Sequence, residues 1–204
     1  MFLKKFYNLL ILIFLSLFLT ACAVNNSQIT ENGKKIYEKE PITPVLINEI
    51  NQIALSIKEN NLALLNGKYV HPINGYYNIT KLENRNIFEI KNSFTEVDNS
   101  IDSFEIRFDK VTFNCSPYDD SFYGWDKYGI FINAQTKPHI SKIMEEANII
   151  QPNSYKPEDI EKVDFMEQTS YEVTIPYIII FYISKIDNQW YITLVDEITT
   201  DCSR

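Results

Sequence analysis

Apolar residues recur at helical spacing between residues 44 and 65. The positions that share one helical face include Val45, Leu46, Ile50, Ile53 and Ile57. Polar residues occupy the opposite face, which is the pattern of an amphipathic helix packed on a core. Thr43 is a suitable N-cap, Pro44 suits the first helical turn, and Asn66-Gly67 predicts the end. The pattern therefore predicts one helix over 44–65.

Strand-like segments follow a turn-rich connection at 68–77. Runs of β-branched and aromatic residues at 86–91, 104–115 and 128–133 predict three strands. A second helix is predicted over 138–150, because its apolar residues return at helical spacing. The next segment, 152–161, is predicted to be a loop or a single turn.

The C-terminal pattern predicts a β-hairpin. Residues 171–185 are β-branched and aromatic, residues 190–200 alternate, and 186–189 form a tight turn between them. Pro176 predicts an edge, a bulge or a bend in the first of these strands. Helix followed by long strands indicates an α+β domain with an N-terminal helix packed on a curved antiparallel sheet.

The first 22 residues have the three-part organisation of a secretory signal peptide. Lys4 and Lys5 precede an apolar run of about 14 residues, which is shorter than the roughly 20 that a permanent transmembrane helix needs. The run ends in Leu19-Thr20-Ala21-Cys22. This motif resembles the lipobox of bacterial lipoproteins, which implies cleavage after residue 21 and acylation of Cys22. The alternatives are a signal-anchor helix with an incidental cysteine, or a signal cut by the general peptidase.

The lipobox resemblance implies a cell-envelope protein held at a membrane by its lipid. Two or three acyl chains give stable anchoring, whereas one chain is marginal. Ala23 follows the cysteine where an inner-membrane retention signal would have Asp, so the resemblance favours the periplasmic face of the outer membrane in a Gram-negative cell. We expect residues 22–43 to form a flexible tether of about 25 Å end to end, and 44–204 to form a single domain.

The element order resembles that of the NTF2-like superfamily, the cystatin-like α+β cone. The resemblance lies in the helix that runs into Tyr69-Val70-His71-Pro72 and in the closing Asp187-Asn188-Gln189-Trp190-Tyr191 strand pair. The superfamily includes isomerases, dehydratases, transport factors and binding modules, so the resemblance implies a fold rather than an activity.

The charge composition argues against two kinds of interaction. The chain of 204 residues has 19 Lys+Arg, 27 Asp+Glu and a net charge of −8. Removing residues 1–21 takes away Lys4 and Lys5 and no acidic residue, which makes the net charge −10. This acidic balance argues against nucleic acid as a partner and against a basic membrane-binding patch.

Two cysteines remain after acylation of Cys22. Export to an oxidising compartment predicts a disulfide between Cys115 and Cys202, and two separately buried thiols are the alternative. Two cysteines and two histidines do not make the usual four-ligand zinc site. The acids of Asp119-Asp120 lack the alternating calcium-loop pattern, which indicates a solvated loop there. We expect no metal and no cofactor.

His71 and Asp196 are the weak catalytic candidates. NTF2-like enzymes place a His/Asp pair in the cone, and Asp196 and Glu197 lie on the final strand, so His71 with Asp196 is a candidate general base. The simpler interpretation of His71 is that it caps a backbone group before Pro72. His139, at a predicted helix start, is the lesser candidate, and the aromatic loop 118–128 is a candidate recognition surface or part of the core.

The leading hypothesis is a non-enzymatic envelope module that binds a small apolar ligand or an envelope protein. One alternative is a small NTF2-like isomerase or hydrolase that uses His71 and Asp196. Another is an envelope inhibitor or immunity-type protein.

Overall fold

The computed structural model describes residues 27–29, 35–37, 39, 41–82, 85–116, 122–134 and 139–202. It has two compact units, Met1–Glu38 and Lys39–Arg204. The predicted signal peptide, Cys22 and Ala23 lie outside the described residues, as do Asp119 and Asp120.

The first unit contains a short β-ladder within the predicted tether. Strand β1 (Ser27–Ile29) pairs antiparallel with β2 (Lys35–Tyr37). The prediction of a flexible coil over 22–43 did not include this pairing.

The second unit contains four helices and nine strands in its described part. The helices are α1 (Pro44–Lys58), α2 (Leu62–Tyr69), α3 (Ile140–Ile150) and α4 (Pro157–Thr169). The strands are β3 (Tyr76–Leu82), β4 (Arg85–Lys91), β5 (Ile106–Arg107), β6 (Phe113–Asn114), β7 (Gly124–Trp125), β8 (Ile130–Asn133), β9 (Tyr171–Ile175), β10 (Ile179–Ile186) and β11 (Gln189–Asp196).

The main sheet has seven strands in the order β4-β3-β11-β10-β9-β8-β5. The α+β class is confirmed, but the prediction of an antiparallel sheet is wrong at two places. β3 runs parallel to β11, and β5 runs parallel to β8. Both parallel pairs join strands far apart in sequence, so no hairpin turn marks them in the sequence.

Alternate strand residues face two separate hydrophobic clusters. One cluster joins α1 and α2 to a face of the sheet through residues such as Ile50, Ile53, Tyr69, Val173, Phe181 and Ile192. The other joins α3 and α4 to residues on the other side, including Ile140, Met144, Val163, Ile79, Tyr182 and Leu194. Because strand side chains alternate in direction, the sheet carries helices on both faces.

The predicted helix over 44–65 is two helices. Thr43 caps α1 as predicted, since its hydroxyl accepts the backbone N–H of Leu46. The break comes at Asn60, which has a positive φ of 52°, and Asn61 then caps α2. The predicted stop at 66–67 is wrong, because α2 continues to Tyr69.

One strand and one helix were not predicted, and one predicted strand is in fact two. β3 begins in the last two residues of the predicted connection 68–77 and continues through residues for which no element was predicted, and α4 occupies the second half of the predicted loop or turn 152–161. Pro157 in its first turn and two acidic residues behind it are helix-start signals that the loop interpretation overlooked. The single strand predicted over 104–115 is two short strands in different sheets, β5 and β6.

The C-terminal hairpin is confirmed with one correction. β10 and β11 pair across a turn in which Asp187 and Asn188 both have positive φ, as a type I′ turn requires. The predicted bend at Pro176 is a complete reversal, so that 171–185 forms two antiparallel strands, β9 and β10. In the part of the chain that the structure describes, no helix has the length and apolar character needed to cross a bilayer.

Candidate functional site

A cavity of about 590 Å³ opens where β11 ends and the β9–β10 turn begins. Its aromatic lining comes from five separate parts of the chain: Tyr76, Phe94, Phe113, Trp125 and Tyr177. Its polar lining includes Asn78, Ser93, Thr95, Glu96, Glu197 and Thr200. The volume lies within the range of about 300–1,000 Å³ typical of small-molecule sites, and mixed aromatic and polar walls are their usual composition.

Asn78 lines this cavity and has a side-chain nitrogen without a hydrogen-bond partner among the described residues. The residue is 1% exposed, and it lies on β3 opposite Val195 of β11. Its Nδ2 is the one buried side-chain nitrogen or oxygen without a hydrogen-bond partner among the residues that the structure describes. Such a group costs about 1–3 kcal/mol when it stays unsatisfied. The nitrogen is enclosed by the protein in this side-chain conformation, although the residue lines the cavity.

Tyr177 forms the projecting part of the β9–β10 turn. Its φ of 67° is in the left-handed region, which costs a bulky residue about 1–3 kcal/mol. Its hydroxyl accepts the backbone N–H of Trp125 at 3.3 Å, and its ring stacks on Tyr128 with centroids 5.9 Å apart. The contacts hold a half-exposed aromatic ring at the cavity in spite of the backbone strain.

The cysteine pair supports the wall of the same cavity. The sulfurs of Cys115 and Cys202 lie 2.13 Å apart, and their Cα atoms are 5.3 Å apart, which agrees with the predicted disulfide. Each cysteine is two residues from a lining residue, Phe113 and Thr200. The bond therefore ties the segment after β11 to the segment after β6 beside the cavity.

A histidine–carboxylate cluster lies at the end of β11. Nε2 of His139 is 3.2 Å from Oδ2 of Asp196, and Nδ1 is 3.3 Å from Oε1 of Glu167. Asp196 also accepts the backbone N–H groups of Ile198 and Thr199. Both carboxylates are buried, while the imidazole is 39% exposed.

Glu167 caps the start of α3 from the neighbouring helix. Its Oε1 accepts the N–H groups of His139 and Ile140, both at 2.8 Å, and its Oε2 accepts the N–H and hydroxyl of Ser141 at 3.0 and 2.8 Å. The first N–H groups of a helix have no partner within it, and the positive end of the helix dipole favours an anion there. Glu167 is therefore a structural carboxylate.

The cluster favours a charged imidazole. Burial opposes protonation of His139, but the hydrogen bond to Asp196 and the charges of Asp196, Glu167 and Glu172 outweigh it and raise the pKa of His139. Burial likewise opposes ionisation of Asp196, yet its bonds from His139 and Thr199 lower the pKa of that carboxyl. Both imidazole nitrogens face carboxylates, which is the arrangement of an ion pair rather than of a general base with one nitrogen free.

The structure does not bring His71 to Asp196. Nδ1 of His71 accepts the N–H groups of Ile73 and Asn74, and its ring lies 4.9 Å from that of Tyr191. Tyr191 is near the start of β11 and Asp196 is its last residue, so the two sites are about 16 Å apart along the strand. The backbone-capping interpretation of His71 agrees with these contacts, and Asp196 pairs with His139, the lesser candidate.

Sequence patterns contained little sign of Glu167 or Asn78. Glu167 lies on α4, whose first residues were predicted to form a loop. Asn78 lies on β3, a strand that was not predicted. An amide at an otherwise apolar alternating position is the signal that would have identified Asn78, once β3 itself was recognised.

In the described segments, no group of three or more His, Cys, Asp or Glu residues is arranged to hold a metal ion. Comparison of the chain with protein-family models, with curated proteins and with solved structures finds no match.

Proposed function

We propose that this protein is a lipid-anchored envelope protein whose domain, within residues 39–204, binds a small molecule in the cavity beside Asn78. The observation that carries the proposal is the cavity of about 590 Å³, whose wall combines aromatic rings with polar side chains. Concave sites of this size with mixed apolar and polar walls are where proteins usually bind small molecules.

The lining supports a ligand with both apolar and polar surface. Five aromatic rings supply the apolar contacts, and hydroxyls and carboxylates such as those of Thr95 and Glu96 supply the polar ones. A purely apolar ligand would bury these polar groups without partners, so the expectation of a small apolar ligand becomes that of an amphipathic one.

The contacts made by the two histidines favour a binding role over catalysis. His139 is engaged by Asp196 and Glu167, and His71 is engaged by a turn. An enzyme that used His71 with Asp196 would need both at one reacting atom, and they are separated along β11.

The test of binding is a thermal-shift screen of the mature protein against small molecules of the bacterial envelope. Ligands should raise the melting temperature of the native protein and raise that of Tyr177→Ala by less, because the variant lacks the half-exposed ring that lines the cavity. Equal shifts in both proteins, or no shift with any compound, would count against the cavity as the site.

The membrane anchor rests on Leu19-Thr20-Ala21-Cys22. We expect metabolic labelling with a palmitate analogue to mark the native chain and to fail with Cys22→Ala. Labelling that survives this substitution would refute acylation at Cys22. Membrane fractionation of the labelled protein then distinguishes the outer membrane, which Ala23 favours, from the inner one.

The NTF2-like assignment is also a proposal. A long first helix and a closing hairpin support it. An experimental structure that showed a flat sheet rather than a cone would contradict it.

A further inference from the structure

Five large aromatic side chains are exposed around the β9–β10 turn. Each of them exposes at least 40% of its surface, and together they form the aromatic surface: Phe104, Phe108, Tyr123, Tyr128 and Tyr177. Single exposed apolar residues are common, whereas a group of them on one part of a protein marks an interaction site. Tyrosine is also among the residues that contribute most to protein–protein binding.

Tyr177 lies against the segment 123–128. Its ring stacks on the ring of Tyr128, with the two centroids 5.9 Å apart, and its hydroxyl accepts the backbone N–H of Trp125 at 3.3 Å. A Cβ added at Gly124 would lie only 3.1 Å from that hydroxyl, so the backbone beside Tyr123 also packs closely on Tyr177. These contacts hold the rings in place before any partner binds, which lowers the entropy cost of binding.

The segment 104–110 is bound to the same loop. The carbonyl of Glu105 accepts the backbone N–H of Ile130 at 2.8 Å, and the carboxylate of Asp109 is 2.8 Å from the ammonium group of Lys127. Phe104 and Phe108 are therefore carried next to Tyr128.

The aromatic surface carries an excess of negative charge. Segments 96–110 and 122–128 contain six acidic residues and three basic ones, namely Glu96, Asp98, Asp102, Glu105, Asp109 and Asp126 against Arg107, Lys110 and Lys127. Two of the three cations, Arg107 and Lys127, already pair with Asp109. A second copy of this acidic chain or an anionic bilayer would be repelled, whereas a basic partner would be attracted.

A cavity of about 320 Å³ opens within the aromatic surface. Tyr128 and Tyr177 line it together with Asp98 and Asp102, whose side chains are exposed, and no cation lines it in the part of the chain that the structure describes. A cation beside a tyrosine ring gains about 0.5–1 kcal/mol at an exposed site, and a carboxylate adds a charge-assisted hydrogen bond. The lining therefore matches a guanidinium or ammonium group on an aliphatic stem.

We infer that the aromatic surface binds a partner protein, which inserts an Arg or Lys side chain into this cavity. The rings contact the stem of that side chain, and Asp98 and Asp102 pair with its charge. The inference goes beyond the small-molecule site, because Tyr128 and Phe108 are not among the residues that line the first cavity.

The test is a selection of linear peptides from a random display library on the full-length exported protein. Enriched peptides should contain Arg or Lys beside apolar residues. In a synthetic copy of one such peptide, replacement of the basic residue by Ala should weaken binding by about tenfold or more. Raising the salt concentration from about 0.05 to 0.5 M should also weaken binding severalfold, because screening reduces the attraction between the charges.

Three variants locate the contact. Tyr128→Ala should weaken binding of the selected peptide by about tenfold or more, and Tyr128→Phe, which keeps the ring, should stay within about twofold of the native protein. Phe108→Ala should weaken it severalfold, although Phe108 is outside both cavities. The matched control is Ile73→Ala, which removes an exposed side chain from the turn that His71 holds beside the start of β11 and should leave the affinity unchanged.

Melting temperatures of the variants show that each one is folded. Enrichment of peptides without basic residues, or of no peptide, would overturn the inference. Equal affinity of the native protein and Tyr128→Ala for the selected peptide would do so as well. Self-association in sedimentation, or binding to phosphatidylglycerol vesicles, that is lost in Phe108→Ala would assign the surface to a second copy or to a lipid surface instead. None of these results decides the small-molecule site, which the thermal-shift screen tests separately.

Discussion

Nε2 of His139 lies 3.2 Å from Oδ2 of Asp196, and this contact joins the start of α3 to the end of β11. The two residues are 57 positions apart, so the ion pair fixes a helix on one face of the sheet to the strand end that lines the cavity. Glu167 on α4 completes the cluster from the other helix. The charged groups therefore hold the two helices and the cavity wall together.

Stability should fall as the pH rises through the titration of His139. Burial lowers the pKa of His139, but the hydrogen bond to Asp196 and the charges of Asp196, Glu167 and Glu172 outweigh it and raise that pKa above 6.5. A raised folded-state pKa stabilises the protein fully below the unfolded value of about 6.5, and this stabilisation is lost as the pH passes the folded value. Melting temperatures measured between about pH 6 and 8 should decrease, and His139→Gln should remove that dependence.

The other histidine is the matched control. His71→Gln should retain the decrease between the same pH values, because its turn contacts lie outside the cluster. A decrease that disappears with His71→Gln and persists with His139→Gln would contradict the assignment.

Loss of the Glu167 carboxylate should destabilise the fold strongly. Glu167→Ala leaves three N–H groups at the start of α3 without an acceptor and His139 without one of its two carboxylates. Each buried group left without a partner costs about 1–3 kcal/mol. Urea denaturation should show this loss, whereas Glu161→Ala on the exposed side of the same helix should stay within about 0.5 kcal/mol of the native protein. Equal effects of the two changes would refute the capping role.

Asn78→Leu should stabilise the unliganded protein. The substitution removes a buried amide nitrogen that lacks a partner among the described residues, so the free energy of unfolding should rise by about 1–2 kcal/mol. Asn66→Leu is the matched control, because Asn66 donates to the carbonyl of Phe94 and accepts its N–H. That variant should lose about 1–3 kcal/mol in the same denaturation experiment. Destabilisation by Asn78→Leu of similar size would mean that Asn78 has a structural partner.

The disulfide should stabilise both the fold and the cavity. Cys115 and Cys202 are separated by 87 positions, and closing a loop of this size contributes about 4–5 kcal/mol in the chain-entropy model. The double Cys→Ser variant should therefore unfold at lower urea concentration and bind ligand more weakly. An intact mass that includes both thiol hydrogens in the native protein would show that the bond is absent.

Local signals in the sequence predicted elements with clear boundaries. Thr43 and Pro44 marked the start of α1, and Asp187-Asn188 marked the turn of the last hairpin. These signals act through neighbouring backbone groups, so a short window of sequence contains them.

The same local signals did not predict which strands pair or which distant side chains meet. The pairing of β3 with β11 joins strands more than a hundred residues apart, and neither strand carries a mark of its partner. The same holds for the site: Asp196 was a candidate, but its partner depends on where α3 packs. Asn66-Gly67 shows the opposite case, in which tertiary contacts override a local stop signal, since Asn66 is bonded to Phe94 within a continuing helix.

Native and denaturing mass spectrometry of the exported protein and of Tyr177→Ala test the central claim most directly, since Tyr177 is a half-exposed residue of the cavity wall. We expect extra mass on the native protein under native conditions, its loss on denaturation, and its absence from the variant under both conditions. A bare mass for both proteins, or the same extra mass on both, would contradict a ligand site beside Asn78.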